Sequence, residues 1–259
     1  MGNQTLKLNK MKKWNIWLFA LMIVGSLLTQ CNQQPKVGKG EMLVSGKVEG
    51  LRKGTLYLQK FVDTLLTSID SVTIKGSPDF SFITRIDSPE LYYLSLTKDD
   101  GDSLKDRIPF FGETGKISIN TRLKTFETSA QINGSENQNL YREYQSYMRK
   151  FNDQQLDMLQ DYLDFQQSRS LEQADSVQKA MDYLIRRKYL YAINFASNHA
   201  DKEIAPFIAL AEVYDANLSL LDTLASRMTP EVAASKYGEK LQVYLAKRKA
   251  DKDSLAQAK

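Results

Sequence analysis

Between Met42 and Ile132 apolar residues alternate with polar ones in short runs that recur roughly every ten residues. Phe80-x-Phe82 and Ile117-x-Ile119 show the pattern best, because alternate side chains of an extended chain share one face. The runs occupy 42–48, 55–61, 68–74, 80–86, 91–97, 107–111, 116–121 and 126–132. Between them stand turn-forming segments such as Gly50-Leu51-Arg52-Lys53-Gly54, Lys75-Gly76-Ser77-Pro78-Asp79 and Asp87-Ser88-Pro89. Evenly spaced short strands of this kind predict an antiparallel β-sandwich or barrel-like module over 42–135, one face of each strand buried.

At Asn133-Gly134-Ser135 the apolar period lengthens from 2 to about 3.6, that of a helix. Ser135 is placed to cap a helix that starts at Glu136. Its apolar stripe comprises Leu140, Tyr144, Tyr147/Met148, Phe151, Leu159 and Tyr162. A second helix over 171–195 carries Leu171, Ala174, Val177, Met181, Leu184, Tyr191 and Phe195 in steps of three or four, with Lys188 at the one polar position. Two such seams suit helices packed nearly antiparallel. Shorter helices are expected at 203–214 and 218–227, and Thr229-Pro230 opens a last one that runs to about 248. The fold class is therefore α+β, a β module followed by an α-helical module over 136–249. The polar end, 250–259, is expected to be a disordered tail.

Ahead of the β module, Lys7, Lys10, Lys12 and Lys13 lead into an apolar run over 16–28. A membrane-spanning helix needs roughly 20 apolar residues, and this run has about 13. Residues 1–30 therefore read as a secretory signal peptide. It ends in Leu28-Thr29-Gln30-Cys31, which resembles a bacterial lipobox, with Gln30 where a small residue is usual. On that reading Cys31 is lipidated and becomes the mature N-terminus, and 31–41 form a lipidated tether. Met11-Lys12-Lys13 offers a second start site beside Met1, and Met1-Gly2 is not a myristoylation signal because Leu6 stands where Ser or Thr is required. The expected address is the cell envelope, anchored to the outer or inner membrane. No acidic run follows Cys31, so the folded part is expected in the periplasm.

The signal changes the charge picture. The chain carries +4, but without those four lysines it has 31 basic and 31 acidic residues, a balance with no basic nucleic-acid footprint. Cys31 is the one cysteine and His199 the one histidine. No Cys-x-x-Cys pair, zinc constellation or second thiol is present, so neither a metal nor another cofactor is expected.

Asp70-Ser71 and His199 together contain the residue types of a hydrolase triad. Ser71 lacks the Gly-x-Ser-x-Gly elbow, and the wet face of a strand explains the pair without chemistry. His199, in Ala196-Ser197-Asn198-His199-Ala200, reads as a helix-end residue. Asp99-Asp100-Gly101-Asp102-Ser103 is rich in oxygen ligands but lacks the spacing and closing Glu of a calcium loop, and reads as a solvated hairpin tip. Seven tyrosines in the two long helices (Tyr141, Tyr144, Tyr147, Tyr162, Tyr183, Tyr189 and Tyr191) suit core edges with wet hydroxyls, or an aromatic binding face.

Residues 42–135 resemble domain-of-unknown-function family 4369, an N-terminal module of thioredoxin-like envelope lipoproteins. The resemblance rests on Val44-x-Gly46-x-Val48-x-Gly50-Leu51-x-x-Gly54-Thr55-Leu56-Tyr57-Leu58, on Ile69-Asp70-Ser71-Val72 and on Phe80-Ser81-Phe82. It continues through Ser88-Pro89-Glu90-Leu91-Tyr92-Tyr93-Leu94, Phe110-Phe111-Gly112-Glu113-x-Gly115-x-Ile117-x-Ile119 and Ile132-x-Gly134-Ser135. The family's linked redox activity does not carry over, because this sequence has no active-site cysteine pair, and the module itself brings no catalytic residues. The expected function is a lipid-anchored, non-catalytic binding or scaffold module. Its partners would be the membrane, through Cys31, and an envelope protein, with no identifiable small-molecule ligand. The alternatives are an accessory subunit that docks a separate thioredoxin-like oxidoreductase, and an unrecognised hydrolase.

Overall fold

The alternating runs fold into eight strands among the described residues: β1 (Glu41–Glu49), β2 (Lys53–Val62), β3 (Leu65–Lys75), β4 (Asp79–Arg85), β5 (Glu90–Thr97), β6 (Asp106–Gly112), β7 (Gly115–Arg122) and β8 (Gln131–Asn133). The structure, a computed structural model, describes residues 37–98 and 106–257. The expected signal peptide, Cys31, residues 31–36 of the tether and the 99–103 turn lie outside them.

One sheet has the order β4-β1-β7-β8 and the other β3-β2-β5-β6. Their inner faces share a single apolar core that includes Val44, Phe82 and Ile117 from the first sheet and Leu58, Tyr92 and Phe110 from the second. The arrangement is a sandwich, as expected, with one departure from an antiparallel plan. β1 pairs parallel with β7, Val44 opposite Ile117 and Gly46 opposite Ile119. Some seventy residues separate those strands, and the local alternation carries no information about the direction in which distant strands pair.

The expected strand over 126–132 is mostly absent. A 3-10 turn at Leu123–Thr125 precedes it, residues 126–129 form a turn where it should start, and only Gln131–Asn133 pairs, with β7. The intervening loop is knit by its own side chains: Thr121 Oγ1 donates to the Phe126 carbonyl at 2.6 Å and Ser129 Oγ to the Thr125 carbonyl at 2.7 Å. Such local bonds give the backbone an alternative to a sheet ladder.

The helices follow as α1 (Glu136–Gln167), α2 (Leu171–Asn198), α3 (Ile204–Glu212), α4 (Leu218–Arg227), α5 (Pro230–Ala233) and α6 (Lys236–Gln257). Ser135 caps α1 by accepting from Gln138 N at 3.0 Å. Thr229 caps the next expected helix, but that helix stops after one turn. Ser235 Oγ accepts from Gly238 N at 3.2 Å and so opens α6 as a separate helix. α6 then runs to Gln257, past the expected end near 248 and through most of the segment expected to be a disordered tail.

Helices and sheets meet at Phe111. Its neighbour Phe110 points into the sandwich, whereas Phe111, fully buried, points out of the sheet into the helical core. There its ring lies 5.6 Å from Phe207, 6.1 Å from Tyr237 and 6.3 Å from Tyr141, centroid to centroid. Adjacent phenylalanines on a strand necessarily face opposite ways, so this pair joins two cores.

Candidate functional site

The residues that suggested hydrolysis do not assemble. Asp70 and Ser71 lie on exposed β3, where the Asp70 carboxylate accepts from Ser71's own backbone N–H at 2.7 Å. His199 is the C-cap of α2, its N–H shared between the Phe195 and Ala196 carbonyls and its ring 4.6 Å from the Phe195 ring. No hydrogen bond links them. Among the described residues, no group of three or more His, Cys, Asp or Glu side chains is placed to hold a metal ion.

Among the polar groups that the fold does bring together, Glu90 and Glu113 stand in the motifs of the family resemblance, whereas Asn137, Gln138 and Glu203 were not singled out by the sequence. Asn137 is buried at the start of α1. Its Oδ1 accepts from Ile204 N, the first residue of α3, at 2.9 Å, and its Nδ2 donates to Glu113 at 3.0 Å and to Glu203 at 2.9 Å. Glu113, on the β6–β7 turn, also accepts from Glu136 N at 2.6 Å, so a carboxylate sits at the positive end of α1. Next to it, Gln138 Oε1 accepts from Phe111 N at 2.7 Å. A second junction is built on Glu90, whose carboxylate binds Lys60 Nζ at 2.7 Å and Lys236 Nζ, tying α6 to the sheet. Every one of these groups has a protein partner, and both junctions fasten elements together.

The tyrosines divide between core and surface. Tyr141 packs against Phe111 and Phe207. Tyr144 stacks on Tyr191, which also meets Tyr147 and Phe151. Tyr183 is exposed under Arg187, and Tyr162 accepts from Gln166. They form no single binding face. Burial pushes the Tyr141 and Tyr191 pKa values up to about 12. The Tyr144 hydroxyl is pushed up further, by burial and then by the nearby Glu212 carboxylate. That hydroxyl is buried and has no hydrogen-bond partner among the described residues.

One surface that folding does not account for is the far half of the α1–α2 hairpin. The helical core takes residues from α1 only as far as Phe151 and from α2 only from Tyr189 onward. Beyond these limits Ala174, Met181 and Leu184 are buried along the seam between the two helices. Of the α1 stripe expected to be core, Leu159 is 43% exposed, and beside it Leu156 (67%) and Leu163 (50%) are uncovered too, with Leu171 and Ile185 exposed on the facing helix. The polar contacts of this stretch, such as Lys188 Nζ to Asn152 Oδ1 at 2.7 Å and the Lys179–Asp175 pair, stay within the hairpin among the described residues. Sixteen residues of α1 past Phe151 make an arm of about 24 Å at ~1.5 Å per residue.

At the base of the arm, α1, α2 and the end of α3 enclose a cleft of about 330 Å³. Tyr144, Met148, Ile185, Lys188, Glu212 and Val213 are among its walls. Seen from α1, Met148, Leu159 and Leu163 lie along one side of the helix, so the cleft opens onto the exposed apolar stripe.

Residues 42–141 match the family model described as Domain of unknown function (DUF4369). The match agrees with the resemblance carried by Val44 to Ser135 and extends it through the first turns of α1 to Tyr141. A search of the curated proteins finds no match to the chain.

Proposed function

We propose that this protein is a lipid-anchored, non-catalytic binding or scaffold component of the cell envelope. The observation that supports the reading is the α1–α2 arm, which displays Leu156, Leu159 and Leu163 to solvent while the rest of the chain packs without it. An apolar surface of this kind on an otherwise well-packed protein marks an interaction site. The non-catalytic part of the reading draws on the dispersal of Ser71 and His199 and on the lone cysteine, since dithiol exchange requires an attacking thiolate. Among the described residues no helix is long and apolar enough to cross a membrane, and the anchor is assigned to Cys31 from its lipobox-like setting.

Metabolic labelling with a fatty acid tests the anchor. Wild type is expected to incorporate label and Cys31→Ser to lose it, because two acyl chains give stable attachment where one is marginal. Equal labelling of both proteins contradicts the assignment. The purified protein is expected to show no insulin reduction and no esterase or peptidase turnover. Turnover abolished by Ser71→Ala or His199→Ala would replace the binding reading with an enzymatic one.

A further inference from the structure

We propose that a cleft at the open edge of the sandwich binds a small monocarboxylic acid with an apolar body, its carboxylate held by Gln138 and Arg142 and balanced by Arg149. The site lies at the sandwich end of α1, before the arm, and goes beyond the binding reading drawn from the arm. β6 is an edge strand of one sheet and β8 of the other. α1 spans both edges, because Gln138 Oε1 accepts from Phe111 N of β6 and Arg142 donates to the Ile132 carbonyl of β8 at 3.4 Å. Gln138, Arg142 and Ile132 line a cleft of about 330 Å³. Small-molecule sites occupy about 300–1,000 Å³ and set a few placed polar groups among apolar walls.

Gln138 carries the inference. The residue is only 4% exposed. A backbone N–H bonds only an acceptor, so the contact with Phe111 turns Oε1 to the strand and leaves both Nε2 hydrogens over. Nε2 has no hydrogen-bond partner among the described residues, and unlike the Tyr92 and Tyr144 hydroxyls it is not sealed from solvent. A donor held this way in a cleft calls for an acceptor. Arg142 and Arg149 follow at i+4 and i+11 on the same side of α1 and line the same cleft. Arg142 is fixed there by Ile132 and by Asn139 Oδ1 at 2.6 Å, with further guanidinium donors to spare. Arg149 makes no hydrogen bond or ion pair among the described residues.

Charge and shape choose the acceptor. The charged residues that line the cleft are Arg142, Arg149 and Glu127. Two cations against one carboxylate leave place for a single negative charge, and Glu127 works against a dianion such as phosphate. Guanidinium forks match the geometry of a carboxylate. Ile108, Pro109 and Ile132 supply an apolar wall for the rest of the ligand. Pro109 has no N–H, which blunts the β6 edge against an added peptide strand, so the occupant is a small molecule.

Ligand-observed NMR on the full-length protein tests this with benzoate as the probe, beside benzamide and inorganic phosphate. Benzoate is expected to bind, and the other two to bind about tenfold more weakly or worse, as loss of charge-assisted hydrogen bonds implies. Arg149→Gln is expected to weaken benzoate several-fold without moving the thermal midpoint, because Arg149 is exposed and unpartnered. Lys150→Ala, the next residue but outside the cleft, is expected to change nothing. Gln138→Glu keeps an acceptor for Phe111 N but sets a carboxylate oxygen where the free donor stood, and is expected to abolish binding. Glu127→Gln is expected to tighten benzoate and to admit phosphate. No binding of benzoate, equal binding of benzamide, or equal losses in Arg149→Gln and Lys150→Ala would overturn the proposal. Wild-type preference for phosphate over benzoate would overturn the assignment to a monocarboxylate.

Discussion

Gly46→Ala is expected to prevent the sandwich from forming. Gly46 lies in β1, an inner strand held on one side by β4, opposite Phe80, and on the other by β7, opposite Ile119. A Cβ at this position would stand 1.8 Å from the Ile119 carbonyl oxygen and 2.6 Å from its carbon. The obstacle is backbone within a paired ladder, so no rotamer change relieves it, and withdrawal would break the pairing of both sheet neighbours. Overpacking a core ordinarily costs about 1–3 kcal/mol, and a clash with fixed backbone belongs at or above the top of that range. A domain stabilised by about 5–15 kcal/mol can lose its folded population by such a change. Gly76→Ala is the control. Gly76 has φ of +97° but nothing within 4 Å of its missing Cβ, so only the left-handed conformation is penalised, at about 1–2 kcal/mol. Denaturant midpoints followed by circular dichroism decide the matter. A Gly46→Ala protein within about 1 kcal/mol of wild type would show that β1 and β7 do not approach as described.

Asn137→Ala is the second large effect, expected at about 2–4 kcal/mol. The side chain is buried and makes three hydrogen bonds, to elements 24, 66 and 67 residues away in sequence. Truncation leaves the Ile204 N–H without an acceptor in a fully buried position, which by itself costs about 1–3 kcal/mol. It also removes the donor shared by the Glu113 and Glu203 carboxylates, which then face each other without a bridge. Asn137→Asp keeps the acceptor for Ile204 but sets a third carboxylate beside those two, so it is expected to be at least as damaging at neutral pH and milder in acid. Because the residue joins the β6–β7 turn to the starts of α1 and α3, both strand and helix signals should be lost in one transition. A loss below about 0.5 kcal/mol, or separate transitions, would contradict this account.

What was legible in the sequence followed from periodicity and local capping. The alternation in Phe80-x-Phe82 and Ile117-x-Ile119 places those side chains in the sandwich core, and Ser135 caps α1 as its position implied. Gly46 stood out within a motif, but its reason is the approach of Ile119, which no local pattern encodes. Direction of pairing between β1 and β7 was hidden for the same cause. Leu159 illustrates a different failure: helical spacing marks an apolar stripe but says nothing of how far along the helix other elements cover it. The Glu113–Asn137–Glu203 junction was missed because carboxylates in a turn and at helix ends ordinarily face water. Its one sequence trace is Asn137 two residues after the Ser135 cap. The dispersal of Ser71 and His199 could be argued in advance only from the missing elbow.

The central claim, that the arm is where this protein meets a partner, is tested most directly in intact cells. A photo-crosslinking amino acid is placed at position 156, on the arm, or at position 243, on α6, two sites with nearly equal exposure of 67% and 71%. The account predicts a discrete protein adduct from position 156 that is absent from position 243 and disappears when Leu159→Asp/Leu163→Asp is added. No adduct at position 156, or the same adduct from both positions, would contradict it.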